Sequence, residues 1–456
     1  MISTKHKLYN KYYKIWQKVR DASEGEDQIK SKKGEYLPKP SQMEEETYNN
    51  YLHRAKYVNY TGKVLTASIA QLFRIKPVIN EVNDILNEDI DLEGSTISAF
   101  SRQIANELLL TNRVGVLVDW SDNQSRSYLT LFQAEQIINW RESEGKPILI
   151  VLEGNKEIAD PENEYNSIGI RIWKELYIED DIYKVRDWEE VYNNKTKEFK
   201  PQIINEYIPM INDNYFNYIP FFCITTLGDN LSFVKSPLLD LANLNLGSYV
   251  NSADYENMLH WSSARTIITN GLGDTDFHIG GVVDFNIGGG AQFLETKSDS
   301  LLLEELKHKE EQMAVLGSNI LSGKGRYVAS AETSRINAEG EYASLSDIAT
   351  SLSEVMTNII RVAETWLNNK ESKAQIFYNT VFEQNKMPSD ELRTLVDAVI
   401  KGVISRKVFY SILEAREIYP EEWSFELETQ ELLNARKEQL ELYNNEFSVG
   451  NENELE

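Results

Sequence analysis

An apolar stripe towards the C-terminal end of the chain constrains the fold more than any other sequence feature. Across residues 339–369, apolar side chains recur three or four positions apart, the spacing of one face of an α-helix. The members of the stripe are Leu345, Ile348, Leu352, Val355, Ile359, Ala363 and Trp366. A helix with one apolar face buries that face against other elements, so the pattern predicts a long helix in a folded domain.

Helical spacing also appears in the N-terminal quarter. It predicts helices at 6–20, at 44–73 with an end before Pro77, and at 98–111. The intervening segment 21–40 is polar and contains two glycines and two prolines, which predicts an exposed loop or arm.

The hydrophobic period changes after residue 112. Short stretches rich in β-branched and aromatic residues follow one another through residues 113–228, which predicts a mixed or antiparallel β region. The alternation on either side of Asp180 and Asp181 indicates a hairpin. Within this region, "QAEQIINW" at 133–140 predicts a short helix.

Two further helices are predicted on either side of a glycine-rich stretch. Ser236 as a cap and Pro237 in the first turn start a helix that runs to about Ala264. The stretch "HIGGVVDFNIGGGAQFLETKSD", 278–299, then carries short β-like pieces, and its glycines permit positive φ and close backbone approach. Ser298 or Asp299 caps the second helix, which is predicted to end at Leu316.

The C-terminal part is predicted to be helical with an acidic end. Helical spacing covers 389–401, 405–416 and 426–442. The tail "NNEFSVGNENELE" is acidic and is predicted to be disordered.

Composition excludes several classes of protein. The net charge is −25, and no basic face of the kind that sequence-specific DNA-binding proteins carry is evident. This charge still allows a local basic ring. Cys223 is the only cysteine and is expected to be a buried small hydrophobic residue, so no disulfide or cysteine zinc site can form. No apolar run reaches the ~20 residues of a membrane span, and the N-terminus lacks an apolar signal core, which predicts a cytosolic protein.

The glycine-rich segments do not fit a nucleotide site. A P-loop requires G-x-x-x-x-G-K-[ST], but in "GSNILSGKGRY" five residues separate Gly317 from Gly323, and Gly325 occupies the Ser or Thr position. The 278–299 stretch does not open a helix, as a dinucleotide-binding motif would. We therefore expect no cofactor, no metal and no enzymatic activity.

Four ordered blocks resemble the portal proteins of tailed bacteriophages. They are "YLPKP" with "YNNYLHRAKYVNYTGKVLTASIAQLFRIKP", "IPFFCITTLG" with "SPLLDLANLNLGSYVNSADYENMLHWSS", "KHKEEQMAVLGSNIL" with "AETSRINAEGEYASLSDIATSLSEVM", and "GVISRKVFYSILEAREIYPEEWSFELE". They occur in family order across nearly the whole chain. The set is more specific than any one phrase.

The resemblance implies an α+β, mainly helical portal fold. Its parts would be an N-terminal arm and first wing helices (1–90), a β-rich wing (91–235), a first stem helix (236–266), a β clip (267–298), a second stem helix (299–316), a tunnel loop (317–338), a long channel helix (339–375) and a helical crown with an acidic tail (376–456). The clip is shorter than the family pattern suggests.

The resemblance also implies a function and partners. Twelve subunits would form a ring at one capsid vertex of the virion after assembly in the host cytoplasm, with no membrane contact. Double-stranded DNA would pass through during packaging, be retained, and leave during ejection. A separate terminase motor would drive packaging, adaptor and tail proteins would dock at the clip, and the major capsid protein would surround the wing.

Two groups of residues would carry these contacts. The tunnel-loop candidates for facing DNA are Ser322, Lys324, Arg326 and Arg335. The clip candidates for subunit and motor or adaptor contacts are Gly280, Gly281, Asp284, Gly288, Gly289 and Gly290. The basic loop residues could instead face solvent or pair with carboxylates of the subunit.

Two alternatives remain at this point. One is a nucleotide-binding enzyme that uses Gly323, Lys324 and the 280–290 glycines. The other is a different phage head or tail protein, such as an adaptor, although adaptors tend to be much shorter.

Overall fold

The structure is a computed structural model that describes residues 1–160, 163–193, 198–211, 214–263, 266–272, 285–294, 300–322, 345–368, 371–380, 382, 389–415 and 428–437. The chain divides into two compact units, Met1–Phe382 and Glu383–Glu456. No helix in the described ranges is long and apolar enough to span a bilayer.

The first unit combines α-helices with antiparallel sheets. Its described helices are α1 (Tyr9–Glu24), α2 (Glu26–Ser31), α3 (Glu45–Arg54), α4 (Tyr60–Leu72), α5 (Asp84–Glu88), α6 (Ile97–Thr111), α7 (Leu239–Ser263), α8 (Ser300–Ser322) and α9 (Leu345–Asn368). The helices predicted at 6–20, 44–73 and 98–111 are confirmed, with the second divided into α3 and α4.

The strands follow in chain order. They are β1 (Val78–Asn80), β2 (Val114–Ser121), β3 (Arg126–Gln133), β4 (Ile137–Ser143), β5 (Lys146–Asp160), β6 (Asn163–Glu179), β7 (Ile182–Asn193), β8 (Glu198–Tyr207), β9 (Met210–Ile211), β10 (Asn214–Tyr215), β11 (Phe221–Thr225), β12 (Gly228–Asp229), β13 (Thr266–Leu272), β14 (Phe285–Leu294) and β15 (Gln375–Phe377).

Two larger sheets and the two-stranded sheet β9–β10 make up the described part of the β region predicted at 113–228. One has the strand order β12-β11-β2-β3 and the other β4-β5-β6-β7-β8, and every pairing in them is antiparallel. The predicted hairpin joins β6 to β7, and Asp180 and Asp181 at its tip have φ of 54° and 58°. Asp tolerates this left-handed conformation better than most residues, which explains its use in a tight turn.

The apolar stripe of α9 lies in the main core, as its spacing predicted. All seven of its members are buried, and α9 packs on the four-stranded sheet and on α6. Polar contacts fix its position: the Ser127 hydroxyl donates to the Ala363 carbonyl over 2.7 Å. The long helix is thus an interior element of the first unit.

Two local predictions are wrong. Residues 21–40 are not an exposed arm, because α2 forms there, Ile29 and Leu37 are buried, and the Tyr36 hydroxyl donates to Asp21 over 2.6 Å. The segment "QAEQIINW" forms only a 3₁₀ turn at Ala134–Gln136 before entering β4. In both places, contacts distant in sequence outweigh local polarity or propensity.

The described elements of the second unit are helices, joined by a turn at residues 401–405. Its helices are α10 (Ser389–Ile400), α11 (Arg406–Ala415) and residues 428–437, inside the three ranges that the sequence predicted. The acidic tail lies outside the described residues.

Candidate functional site

Two helices and a β hairpin form the most distinctive part of the first unit. Helix α7 leads into β13, β13 pairs with β14, and α8 follows and packs beside α7. At 1.5 Å per residue, α7 and α8 are about 37 and 34 Å long. Only the first part of α7, up to Ala253, and the last part of α8, from Met313, contribute buried residues among those described. The base of this helix pair is therefore embedded in the core.

Asn245 secures the base of α7. This side chain is 1% exposed, and its Oδ1 accepts hydrogen bonds from the Thr61 backbone N–H (3.1 Å) and hydroxyl (3.0 Å). Its Nδ2 donates to the Val58 carbonyl over 2.9 Å. Thr61 lies in the first turn of α4, where backbone N–H groups have no partner within their own helix. Asn245 therefore caps α4 from another helix.

Helix α3 supports α7 further along. The Tyr51 hydroxyl donates to Asp254 over 2.6 Å, and Arg54 donates to the Asn257 amide oxygen over 2.8 Å. Beneath these bonds, Leu246 and Tyr249 of α7 are buried in a second hydrophobic cluster with residues of α2 and α3. The segment predicted to be an exposed arm is thus part of the support of α7.

The hairpin carries three of the candidate clip glycines. Gly288, Gly289 and Gly290 lie in β14, and the ladder changes register after the Asn270–Gly290 pair, so the glycines coincide with an irregularity. At Gly290 the predicted reasons for glycine do not hold, because its φ is not positive and a Cβ there would meet no atom within 4 Å. Gly280, Gly281 and Asp284 lie outside the described residues.

Helix α8 is longer than predicted. It continues six residues beyond Leu316 and ends at Ser322, so 317–322 is helical. Gly317 is an interior helical position, where a Cβ would lie 2.8 Å from Val64 Cγ2 on α4. The glycine that suggested a loop in the sequence instead permits close packing of two helices.

The tunnel-loop candidates are only partly located. Ser322 is the last residue of α8, whereas Lys324, Arg326 and Arg335 lie outside the described residues. Ile320, just before the segment, and Leu345, just after it, belong to the same hydrophobic core. The helix ends on either side of the segment 323–344 are therefore packed in one core.

A cleft of about 860 Å³ lies beside β11, and neither of the glycine-rich segments is among its described lining residues. Burial raises the pKa of the Cys223 thiol to about 11 and that of the Asp229 carboxyl to about 6, although Asp229 as a residue is exposed. Cys223 is 1% exposed, as expected of a small core residue, and a thiol with a raised pKa is a poor nucleophile. In the described ranges, no three His, Cys, Asp or Glu side chains are grouped for metal binding.

Sequence reasoning did not identify Asn245. It predicted a helix at this position, but an asparagine inside a helix is normally a solvent-exposed residue, and nothing local marks it as a cap for a helix 184 residues earlier. The other cap of α4 is local: the Asn59 side chain, immediately before the helix, accepts a hydrogen bond from the Gly62 N–H over 2.7 Å. An asparagine in that position is a capping signal that a sequence can show.

Comparison with known proteins gives two kinds of match. A family model described as a domain of unknown function (DUF4055) matches residues 237–367, which is less than half of the chain and includes α7, α8 and nearly all of α9. No curated protein matches.

Among solved structures, the chain is similar to one from the neck of an empty GTA particle computed with C6 symmetry (TM-score 0.37, 11% identity, 83% of this chain and 96% of that one). It is also similar to one from the virion of a native gene transfer agent particle (TM-score 0.36, 11% identity, 83% and 96%). A third is an HK97-family phage portal protein from Corynebacterium diphtheriae (TM-score 0.26, 8% identity, 72% and 94%). TM-scores below 0.5 do not establish a shared function.

Proposed function

We propose that the chain is a portal subunit of a tailed bacteriophage or a related particle, which assembles into a ring around a DNA channel. One observation supports this proposal most: the order of elements along the chain is the one that the four portal-like sequence blocks imply. That order is α7, the β13–β14 hairpin, α8 and, after the segment 323–344, the buried helix α9. In this proposal α7 and α8 are the stem, the hairpin is the clip, the β-rich region is the wing and the C-terminal helices are the crown.

The tunnel loop in this proposal begins after Ser322, because 317–322 is helical. Ile320 of α8 and Leu345 of α9, on either side of this segment, hold the two helices in one core. DNA would pass the loop without tight binding, because an acidic protein limits phosphate affinity. Terminase, adaptor and tail proteins, and the major capsid protein remain the proposed partners, at a capsid vertex of the virion.

The stem helices offer apolar surface for contact between subunits. Leu259 on α7 and Leu303 and Val315 on α8 are each 38% exposed. Rings require heterologous contacts in which one face of a subunit meets a different face of its neighbour. Apolar residues on two exposed stem helices suit such a contact.

Ring formation is the first test. The purified chain should form rings by negative-stain imaging and a mass of several subunits by light scattering. Leu303→Lys with Val315→Lys should shift the population to monomers, because charges would be buried at the contact. The control Gln103→Lys with Asn123→Lys adds the same charge at exposed polar positions outside α7 and α8 and should retain rings. A wild-type chain that stays monomeric in all conditions would contradict the proposal.

Neutralising the loop charges is the second test. Lys324→Gln with Arg326→Gln should reduce packaged or retained DNA while rings persist, because two phosphate contacts are removed. The exposed pair Arg406 and Lys407 on α11 provides a control with the same charge change. Unchanged packaging would show that Lys324 and Arg326 make no contact with DNA that packaging requires. The same variant tests the nucleotide alternative, which requires ATP hydrolysis that depends on Lys324.

A further inference from the structure

The N-terminal residues carry a concentrated positive charge. Residues 1–20 contain six Lys and Arg and no Asp or Glu, although the whole chain has a net charge of −25. This contrast is strongest on α1, which is separate from the stem, the hairpin and the segment 323–344 in sequence.

The lysines of α1 share one side of the helix. At 3.6 residues per turn, Lys11, Lys14 and Lys18 fall within about 60° of one another, and Lys7 lies in the turn that precedes the helix. We call these four residues the lysine stripe. The opposite side of α1 is buried through Tyr9, Trp16 and Val19. The stripe therefore faces away from the core.

The stripe has no acidic partner in the described part of the chain. None of its lysines is within 4.0 Å of a described carboxylate, whereas Arg20 on another side of α1 pairs with Glu107 (2.5 Å) and Glu135 (2.6 Å). Lys18 donates to the neutral Asn243 amide over 3.2 Å, and Lys11 lies over the Tyr12 ring at 5.6 Å. Lys7, Lys11 and Lys14 are exposed, so their charges are available to a ligand.

Helix α1 is held in a fixed orientation. The Tyr9 hydroxyl donates to the Glu135 carbonyl over 2.6 Å, and the Tyr12 ring stacks on Phe233 with centroids 4.1 Å apart. Because its apolar side is occupied by the core, α1 cannot insert that side into a bilayer as an amphipathic membrane helix does. The surface of α1 that remains available to a partner is therefore the row of lysine ammonium groups.

We propose that the lysine stripe binds the phosphate backbone of duplex DNA, at a surface distinct from the segment 323–344. Its lysines succeed one another at axial steps of about 4.5 to 6 Å, a row of point charges suited to a polyanion with regularly repeated charge. A row of lysines without guanidinium forks gives affinity without base recognition. An acidic protein segment is less well matched, because none of the described clefts includes a stripe residue to receive its apolar side chains.

The test measures binding of a fluorescein-labelled duplex of random sequence to the full chain by anisotropy over a salt series. Each neutralised phosphate contributes about 0.9 to the slope of log affinity against log salt. Lys7→Gln, Lys11→Gln and Lys14→Gln together should therefore lower the magnitude of the slope by about 2.7 and weaken binding at low salt by on the order of tenfold or more. Gln has nearly the helix propensity of Lys, so α1 should persist, as circular dichroism can verify.

The matched control is Lys39→Gln, Lys156→Gln and Lys184→Gln, three lysines that each pair with a carboxylate. It makes the same charge change and should leave the slope unchanged. Both triple variants are also made in the Lys324→Gln, Arg326→Gln background, where the difference between them should persist. Equal slopes for the two triple variants, no wild-type binding at low salt, or full displacement of the duplex by poly-glutamate at equal charge would each overturn the proposal. Ring formation is scored separately, so failure of either proposal can be recognised.

Discussion

Replacing Asn245 with alanine is expected to destabilise the first unit by about 3 kcal/mol, because it leaves buried polar groups without partners. The Thr61 N–H and hydroxyl and the Val58 carbonyl all bond to this one side chain. Water cannot replace it readily at a position that is 1% exposed. Urea denaturation followed by tryptophan fluorescence measures the loss as a lower transition midpoint.

The same helix offers a control for this variant. Asn243 lies two residues earlier and is exposed, and its side-chain oxygen accepts a hydrogen bond from Lys18 over 3.2 Å. Asn243→Ala should change the free energy of unfolding by less than about 0.5 kcal/mol. If Asn245→Ala were equally mild, the capping of α4 by α7 would have to be rejected.

Adding one methyl group at Gly62 is expected to destabilise the same joint by about 2 kcal/mol. A Cβ there would lie 2.4 Å from the backbone oxygen of Ser23, and 2.6 and 2.8 Å from the Asn59 amide atoms. A backbone atom cannot move aside as a flexible side chain can. The gain of about 1 kcal/mol in helix propensity from Gly to Ala is smaller than the combined cost of overpacking and a disturbed cap.

Gly34 is the matched position for this experiment. A Cβ added at Gly34 would lie 3.7 Å from its nearest neighbour, the Tyr48 hydroxyl, which is an ordinary contact distance. The φ of Gly34 is not positive. Gly34→Ala should therefore be neutral or slightly stabilising, through a less flexible unfolded chain. Thermal melting of both variants distinguishes the cases, and a Gly62→Ala protein as stable as the wild type would show that α1 and α4 can move apart without loss.

These two positions belong to the base from which α7 extends. Gly62 brings the start of α4 against the end of α1, and Asn245 joins the start of α4 to α7. In the proposed portal function, α7 needs such a rigid base. Loss of stability here should therefore accompany loss of rings if the proposed portal function holds.

Patterns repeated along the chain were strong predictors. The stripe of α9 was predicted residue by residue, since burial of one helical face requires apolar residues at that spacing. The hairpin at Asp180 and Asp181 was likewise predicted, because alternation and turn residues coincide there. Local signals of this kind depend on the chain's own periodicity, and tertiary contacts only reinforce them.

Ends of elements and isolated polar residues were not predictable in this way. The helix was predicted to end at Leu316, yet α8 continues to Ser322. Gly317 is an interior position of α8, where Val64 of α4 approaches so closely that a Cβ would not fit. Residues 21–40 were taken as exposed, yet Ile29 and Leu37 are buried against helices whose partners lie far along the chain. A glycine or a run of polar residues is compatible with several local structures. Which of them forms depends on the elements that pack against that part of the chain.

The sequence by itself determined most of the order of helices and strands, the position of the β region, the buried face of α9 and the concentration of lysines at the N-terminus, because each is a property of residues close together in the chain. Only the tertiary structure decided that α2 and α3 support α7, that Asn245 caps α4, and that the lysines of α1 face outward without carboxylate partners. Those features depend on contacts between residues separated by up to about two hundred positions, where periodicity carries no information.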